Sequence, residues 1–295
     1  MTPGFHPEIE AREYFSECCP EPALTSSTIK TLLYRTAAEA AYEHPGITPD
    51  SPAATSSAVK RFGDVAHQLA LGKGRGFAVG EYDAWASKEA KAFKAEAEAA
   101  GLTPIKRKDF DAAKVSAAIM KGQIERTLTI LGGGRLPIYQ TEIVFTWQEH
   151  TSRGLIWCRG MADVWCEELG VILDPKFTKV LSDGAWENHA VKMGWDIQDV
   201  WYRRGIEAIL PERAGRIRFI NPLVYPAAPF VGRIREADEA TTHSLRPMIN
   251  DTIEHFAACL YGNFWPGYSD LIEPWSARNY TLAERMAKAA DEDLE

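Results

Sequence analysis

Cysteine is scarce in this chain: five among 295 residues, an odd number without regular spacing. That excludes a disulfide framework and fits a reducing cytosol. Long hydrophobic runs are missing. Proline, glycine or charge interrupts each apolar stretch short of the roughly 18 residues a membrane span needs, so no membrane role is expected. The opening MTPGFHPEIEAREYF has no basic stretch followed by an apolar one, so no secretory leader is expected either. Positive charge is in deficit, with 33 Lys and Arg against 41 Asp and Glu and a net charge of −8. A nucleic-acid partner usually leaves a basic footprint, so the bulk charge argues against one. Neither GKGRG (72–76) nor GGGR (132–135) ends in the Gly-Lys-[Ser/Thr] of a phosphate-binding P-loop, and both read as flexible loops. Gly-x-Ser-x-Gly elbows and His-Glu-x-x-His helices are also absent, which removes the usual serine-hydrolase and zinc-protease signatures.

What is present is an ordinary globular balance, 45% apolar and 25% charged, enough to bury a sizeable core. Residues 1–25 look irregular. A Ser/Thr cluster at 26–28 then caps an expected helix over 29–44, ended by Pro45. After a turn-rich loop (46–56), a second helix over 57–71 carries Val59, Phe62, Leu69 and Ala70 on its apolar side. Further helices are expected at 87–100, closed by Gly101, and at 109–128. The pattern then switches to short alternating runs: strands at 141–149, 155–167 and 171–177. Helices at 182–193 and 195–210, strands at 216–225 and 230–236, and a long helix at 238–262 complete the order. It reads as one α/β domain with a helical front half. Most Trp residues fall in these elements and read as core; Trp201, beside Tyr202, is left open as a base-stacking side chain.

Asp174-Pro175-Lys176 ends an apolar strand, and Asp163 ends the preceding one. If these strands form a hairpin, the two carboxylates converge into a hard oxygen site suited to Mg²⁺ or Mn²⁺. Lys176, two residues past Asp174, shares its face of the strand, where it can orient water or steady charge on a phosphate. Alone, an Asp-x-Lys triplet is more often a strand-end ion pair, and Asp-Pro more often a turn. His67 sits on a helix four residues after Gly63. Gln198 and Tyr202 share a helix face at i,i+4. Each alone is commonly a surface residue.

Taken in order, His67 in a G-x-x-x-H helix, Glu142 in a strand, Asp163, Asp174-x-Lys176 and Gln198-x-x-x-Tyr202 resemble the RecB-type branch of the PD-(D/E)XK nuclease superfamily. Within it, the likeness is to the exonuclease VIII (RecE) nuclease domain and related phage and prophage exonucleases. Ser26-Ser27-Thr28-Ile29-Lys30, the stretch 76–105, the strand block ending in DPKFTK and the closing FWPGYSDLIEPW share it, so it spans about residues 25–276. The resemblance implies a restriction-endonuclease-like α/β core, a mixed central β-sheet flanked by helices. It divides the chain into an irregular segment (1–25), one nuclease domain (26–276) and an acidic tail (277–295). His67, Asp163, Asp174 and the carbonyl of Pro175 would hold Mg²⁺ or Mn²⁺. Lys176 would align the attacking water, and Glu142 would serve a second metal or orient water. Gln198 and Tyr202 would hold the DNA strand. The implied reaction is phosphodiester hydrolysis from duplex ends, 5′→3′, leaving 3′ tails for a strand-annealing recombination protein in the cytoplasm of a bacterial or phage-infected cell. Relatives form rings around DNA, so a homo-oligomer is implied.

Proline at 175 departs from the apolar or aromatic residue usual there. It cannot donate a ladder hydrogen bond, which puts the local ladder in doubt and suggests a bulge. Only Cys259 follows Gln198, so no iron–sulfur cluster is expected, and Cys18-Cys19 and Cys158/Cys166 read as free thiols. Phosphate contacts would come from Lys106-Arg107-Lys108 with Lys114 and Lys121, from Arg203-Arg204, or from Arg233 and Arg235. Two alternatives stay open: a non-catalytic DNA-end-binding protein with a degenerate site, and an endonuclease or single-strand nuclease of the same fold.

Overall fold

The computed structural model describes residues 1–50, 57–272 and 274. The expected acidic tail (277–295) and part of the loop at 46–56 lie outside them. The N-terminal segment is not irregular. β1 (Gly4–His6) pairs antiparallel with β4 (Gln140–Thr151) further along the chain, and α1 (Ala11–Ser16) packs Tyr14 over the same strand's Val144.

The helix expected over 29–44 is two helices. Thr25 caps α2 (Ser26–Tyr34), its hydroxyl accepting from Thr28 N at 3.1 Å. Thr36 then starts α3 (Ala37–Glu43) with a reciprocal capping box to Glu39. A Thr-x-x-Glu signal inside a helical run breaks it, because it gives a new helix start its own donors and acceptors. α4 (Ala58–Leu71) begins at Ser57 and ends at Gly72, whose φ of 78° makes it the left-handed cap. Val59 does not join the apolar side of α4; it is exposed, and Val65 and Ala66 are buried instead.

The helix expected at 87–100 is α5 (Lys88–Ala99); on either side of it β2 (Phe77–Gly80) and β3 (Thr103–Lys106), which periodicity did not reveal, pair in parallel. α6 (Arg107–Leu131) follows directly. The remaining elements are β5 (Gly154–Cys166), β6 (Val171–Leu173), β7 (Lys176–Phe177), α7 (Ala185–Met193), α8 (Trp195–Ile209), β8 (Arg218–Val224), β9 (Gly232–Glu236) and α9 (Glu239–Gly262).

The main sheet runs β1-β4-β5-β6-β8-β7, with β9 also on β8. It is mixed: β6 and β7 run parallel to β8, and all other pairs are antiparallel. β6 and β7 are one strand interrupted at residues 174–175. Leu173 faces Ile220 and Lys176 faces Leu223, so both strands advance by three residues and nothing is bulged. One face of the sheet buries Phe145, Trp147, Trp165 and Phe219 against Trp201, Tyr202 and Ile206 of α8 and Ile253 and Phe256 of α9. The other buries Val164, Leu173, Ile220 and Val224 against Met120, Ile124 and Leu128 of α6. Among the described residues no helix is long and apolar enough to cross a membrane.

α8 reaches the sheet through Gly205. A Cβ there would lie 2.5 Å from Cζ3 of Trp147 and 2.7 Å from Cε2 of Phe145. Gly205→Ala should therefore push α8 off the sheet and cost about 1–3 kcal/mol, read as a lower midpoint in urea unfolding at unchanged slope.

Candidate active site

The sheet register builds the site. Thr141 pairs with Val164 and Ile143 with Ala162, so Glu142 and Asp163 stand opposite one another between these pairs. Val164 pairs with Leu173, which makes Asp174 the next position across from Asp163. Ile220 faces Leu173, so Asn221 neighbours Asp174. Glu142, Asp163, Asp174 and Asn221 thus form a row across four strands. At this row β5 and β6 cease to pair, and the gap admits His67 from α4. Its Nε2 lies 3.2 Å from Asp163 Oδ2 and 3.3 Å from the carbonyl oxygen of Pro175. Glu142 takes a φ of 48°, a left-handed conformation that costs a non-glycine residue about 1–3 kcal/mol and is usually kept only where function requires it.

Asp174 is fully buried and saturated with donors. Oδ1 accepts from Gln198 Nε2 at 2.9 Å. Oδ2 meets Lys176 Nζ at 2.5 Å and accepts from Asn221 Nδ2 at 3.1 Å. Lys176 and Asp174 do share a face, as the two-residue period requires. Lys176 also donates to Gln198 Oε1 at 3.2 Å and lies 5.4 Å over the half-buried ring of Trp195. Gln198 therefore bridges the acid and the lysine from the first turns of α8.

The prolines resolve the doubt about the ladder. In this parallel pair the amide of Asp174 donates to Ile220 O and that of Thr178 to Val224 O. Position 175 consequently directs its backbone away from β8, where Pro175 forfeits no bond and its carbonyl is free to face His67. The bond actually lost is the one that residue 222 should donate to Asp174 O, because residue 222 is also proline. Asn221 replaces it: its Nδ2 lies 3.0 Å from Asp174 O while also holding the carboxylate. Asn221→Ala should leave that buried carbonyl unpaired at about 1–3 kcal/mol. Pro222→Ala, which restores an amide, should recover most of the loss, measured by a double-mutant cycle in denaturant unfolding.

Burial beside one another raises two of the three carboxyls, Asp174 and Glu142, and not Asp163. Burial and the neighbouring Asp163 push Asp174 up to about 7, against the pull of Lys176. Burial and Asp163 likewise raise Glu142. Asp163 goes the other way: His67 outweighs its burial and keeps it below the usual range. Burial alone would lower His67, but Asp163 carries it up to about 9. A site whose acids keep protons is short of positive charge. The Nε2 proton of His67, held between Asp163 Oδ2 and the Pro175 carbonyl, occupies the place a cation would take. Two carboxylates, an imidazole and a carbonyl are a hard donor set that fits Mg²⁺ or Mn²⁺ in chemistry, while the ligand atoms of His67, Asp163 and Asp174 do not all lie within 4.8 Å of one another.

A candidate metal cluster in the segment after α1 packs on Arg159, four residues before Asp163 on β5. Glu17, Cys18 and Cys19 bring ligand atoms within 4.8 Å of one another, the one such group among the described residues. Its carboxylate already accepts from Arg159 Nη1 at 2.7 Å and from the amides of Cys19 and Ala23. Its two thiols suit a soft metal rather than Mg²⁺.

Several expected contacts have other partners. Tyr202 is buried between Phe145 and Phe219, so it backs Gln198 and does not reach a DNA strand. Trp201 is buried too, its Nε1 donating to Arg159 O at 3.1 Å. Arg203 is paired with Asp199, and Arg204 with Glu149 and Asn250. Lys106 is held by Asp109 and the Asp83 carbonyl, Arg107 by Glu81, Lys114 by Asp111, and Arg233 and Arg235 by Asp183; Lys108 is exposed. The expected basic stripes are largely neutralised by their own neighbours. Sequence reasoning missed Asn221, Trp195 and Lys73, whose Nζ donates to Thr141 O at 2.7 Å beside Glu142. An Asn-Pro pair inside an apolar strand was the available signal for the first.

Among solved structures, the chain is similar to a crystal structure from Eubacterium rectale that carries the name "putative exonuclease". It is 14% identical to this chain, covers 91% of it and 96% of its own length, and superposes with a TM-score of 0.57. The two chains share a fold. A second match, SSO0001, is 15% identical over 55% of this chain and 68% of its own, and its TM-score of 0.26 carries no argument. No protein-family model and no curated protein matches the chain.

Proposed function

We propose that this protein is a metal-dependent DNA exonuclease of the PD-(D/E)XK superfamily, of the exonuclease VIII type. The observation that carries this reading is the acid row with Lys176 on Asp174 and His67 Nε2 between Asp163 and the Pro175 carbonyl. The shared fold with the Eubacterium rectale protein supports it. His67, Asp163, Asp174 and the Pro175 carbonyl would hold Mg²⁺ or Mn²⁺, which supplies Lewis acidity toward a phosphoryl oxygen. Lys176 would release Asp174 and turn its ammonium to the phosphate or the attacking water, with Gln198 fixing its direction. Glu142, with its raised affinity for protons, is placed to accept one from water. Asn221 holds Asp174 still, and Trp195 limits where Lys176 can go. The 5′→3′ direction, the 3′-tailed product, an annealing partner and a ring-shaped homo-oligomer rest on the family resemblance.

Duplex DNA labelled at the 5′ end and incubated with Mg²⁺ should release labelled mononucleotide, while a closed circle stays intact. Cutting of the circle would make the protein an endonuclease. The Lys176–Asp174 pair at 2.5 Å is what favours a second reading, a DNA-end-binding protein that does not cleave. Binding of linear duplex without turnover in Mg²⁺ or Mn²⁺ would select it.

A further inference from the structure

The loop GKGRG follows the His67 helix and was set aside as a flexible connection because it lacks P-loop chemistry. Its place in the fold gives it another use. Gly72, Gly74 and Gly76 all have positive φ (78°, 148° and 88°), and Gly76 N donates to Gln68 Oε1 at 3.0 Å, tying the turn back onto α4. The loop is thereby folded over the β4 end of the acid row. Lys73 reaches the carbonyl of Thr141, one residue from Glu142. Arg75 is exposed, and its charge acts on Asp64, a carboxyl that burial pushes up and Arg75 draws back down.

These two cations differ from the expected stripes in what they lack. Arg203, Arg204, Arg107, Arg233 and Arg235 each sit on a carboxylate. Among the described residues, neither Lys73 nor Arg75 forms a salt bridge. Both are solvent-facing, and Lys73 lies beside the row, one residue from Glu142. At the opposite end of that row stand Lys176, Gln198 and Trp195. The row is therefore polar in the geometric sense, with Lys176 toward one end and the Lys73–Arg75 loop at the other, two strand spacings or about 10 Å away.

We propose that Lys73 and Arg75 are a phosphate-binding rim that contacts the DNA backbone next to, and not at, the scissile phosphate. This deepens the nuclease reading and rests on it. A strand laid along the row would present one phosphate to Lys176 and Asp174 and the next one or two to the loop. The glycines let the backbone approach the strand closely, and the contact is blind to sequence because it involves phosphate oxygens alone. An acidic protein would in this way bring positive charge beside its acid row, where a strand must be held.

The test is Lys73→Ala/Arg75→Ala in the full chain, with duplex binding measured in Ca²⁺ and cleavage in Mg²⁺. Each phosphate contact contributes about 0.9 to the slope of log affinity against log salt, so the double variant should lose roughly 1.8 from that slope. KM should rise at least tenfold with kcat within twofold of the parent. Lys73→Arg should restore most of the affinity, which a purely structural role for the loop would not predict. An unchanged salt slope and KM would overturn the proposal. A matched loss of kcat at unchanged KM would also overturn it, placing the loop in the chemistry. If the parent protein binds duplex in Ca²⁺ but never cleaves, the nuclease reading fails while the slope still decides the rim.

Discussion

Asp174→Ala is expected to abolish Mg²⁺-dependent hydrolysis of linear duplex, with kcat falling on the order of a thousandfold or more. Lys176→Ala should fall on the order of a hundred- to a thousandfold. The two losses differ in kind. Removing Asp174 takes away a proposed ligand and the anchor of Gln198, Asn221 and Lys176 together, so metal binding should weaken with catalysis. Removing Lys176 leaves the acid row without its closest cation and should strengthen metal binding while the rate collapses. Isothermal titration with Mn²⁺ separates the two. Duplex binding in Ca²⁺ should survive in Lys176→Ala, which guards against reading misfolding as lost chemistry. Full activity in both variants would remove the acid row from the reaction.

The second large effect is a pH-dependent gain in stability on adding metal. Asp174 titrates near 3.9 in an unfolded chain and at about 7 in the fold. A raised carboxyl pKa means that the bound proton stabilises the fold. That contribution is complete below about pH 4 and is lost as pH rises through about 7. His67 is raised from 6.5 to about 9, so its contribution is complete below 6.5 and is lost as pH rises through about 9. Both act in the same direction, and Asp199, which burial pushes up to about 7 against Arg203, adds to the same decline. The metal-free protein should therefore weaken steadily from mildly acidic to alkaline pH. A divalent ion binds the deprotonated acids and the neutral imidazole, so its benefit should be negligible near about pH 5.5 and largest near about pH 8.5. At a hundredfold excess over Kd the gain is about 2.7 kcal/mol, or roughly 5 °C in Tm for a chain of this size. The increment should vanish in Asp174→Ala. An increment that persists in Asp174→Ala would place the ion elsewhere, with Glu17, Cys18 and Cys19 the first place to look.

The parts of the site that sequence revealed are those encoded within a single element. A two-residue period put Lys176 on the face of Asp174, and the helix expected over 195–210 put Gln198 near the start of α8. Asp163 and Asp174 met because adjacent strands formed the expected antiparallel pair. Residues contributed by register were invisible. Asn221 belongs to the site because Ile220 faces Leu173, a pairing between strands almost fifty residues apart that no local pattern encodes. Lys73 belongs to it because the loop after α4 folds back on Thr141. The basic stripes were misjudged for the complementary reason. Lysine and arginine were visible, but their carboxylate partners were often on other elements, as with Arg204 and Glu149 or Arg235 and Asp183. Tyr202 shares its helix face with Gln198, as the i,i+4 spacing requires, but it is buried between Phe145 and Phe219, because that spacing cannot tell how far the sheet will cover the face.

The two facing prolines carry a consequence for sequence divergence. Pro222 removes an amide that Asp174 needs, and Asn221 supplies its replacement, so residues 221 and 222 are mutually conditional. A chain that keeps proline at 222 is held to a side chain with an N–H donor at 221. A chain that loses that proline is released from the carbonyl half of the constraint and keeps only the bond to the Asp174 carboxylate. Pro175 is under no such obligation, since its backbone faces away from the ladder. Across distant relatives of this fold, substitution at 221 should therefore covary with 222 and not with the middle residue of the Asp-x-Lys triplet.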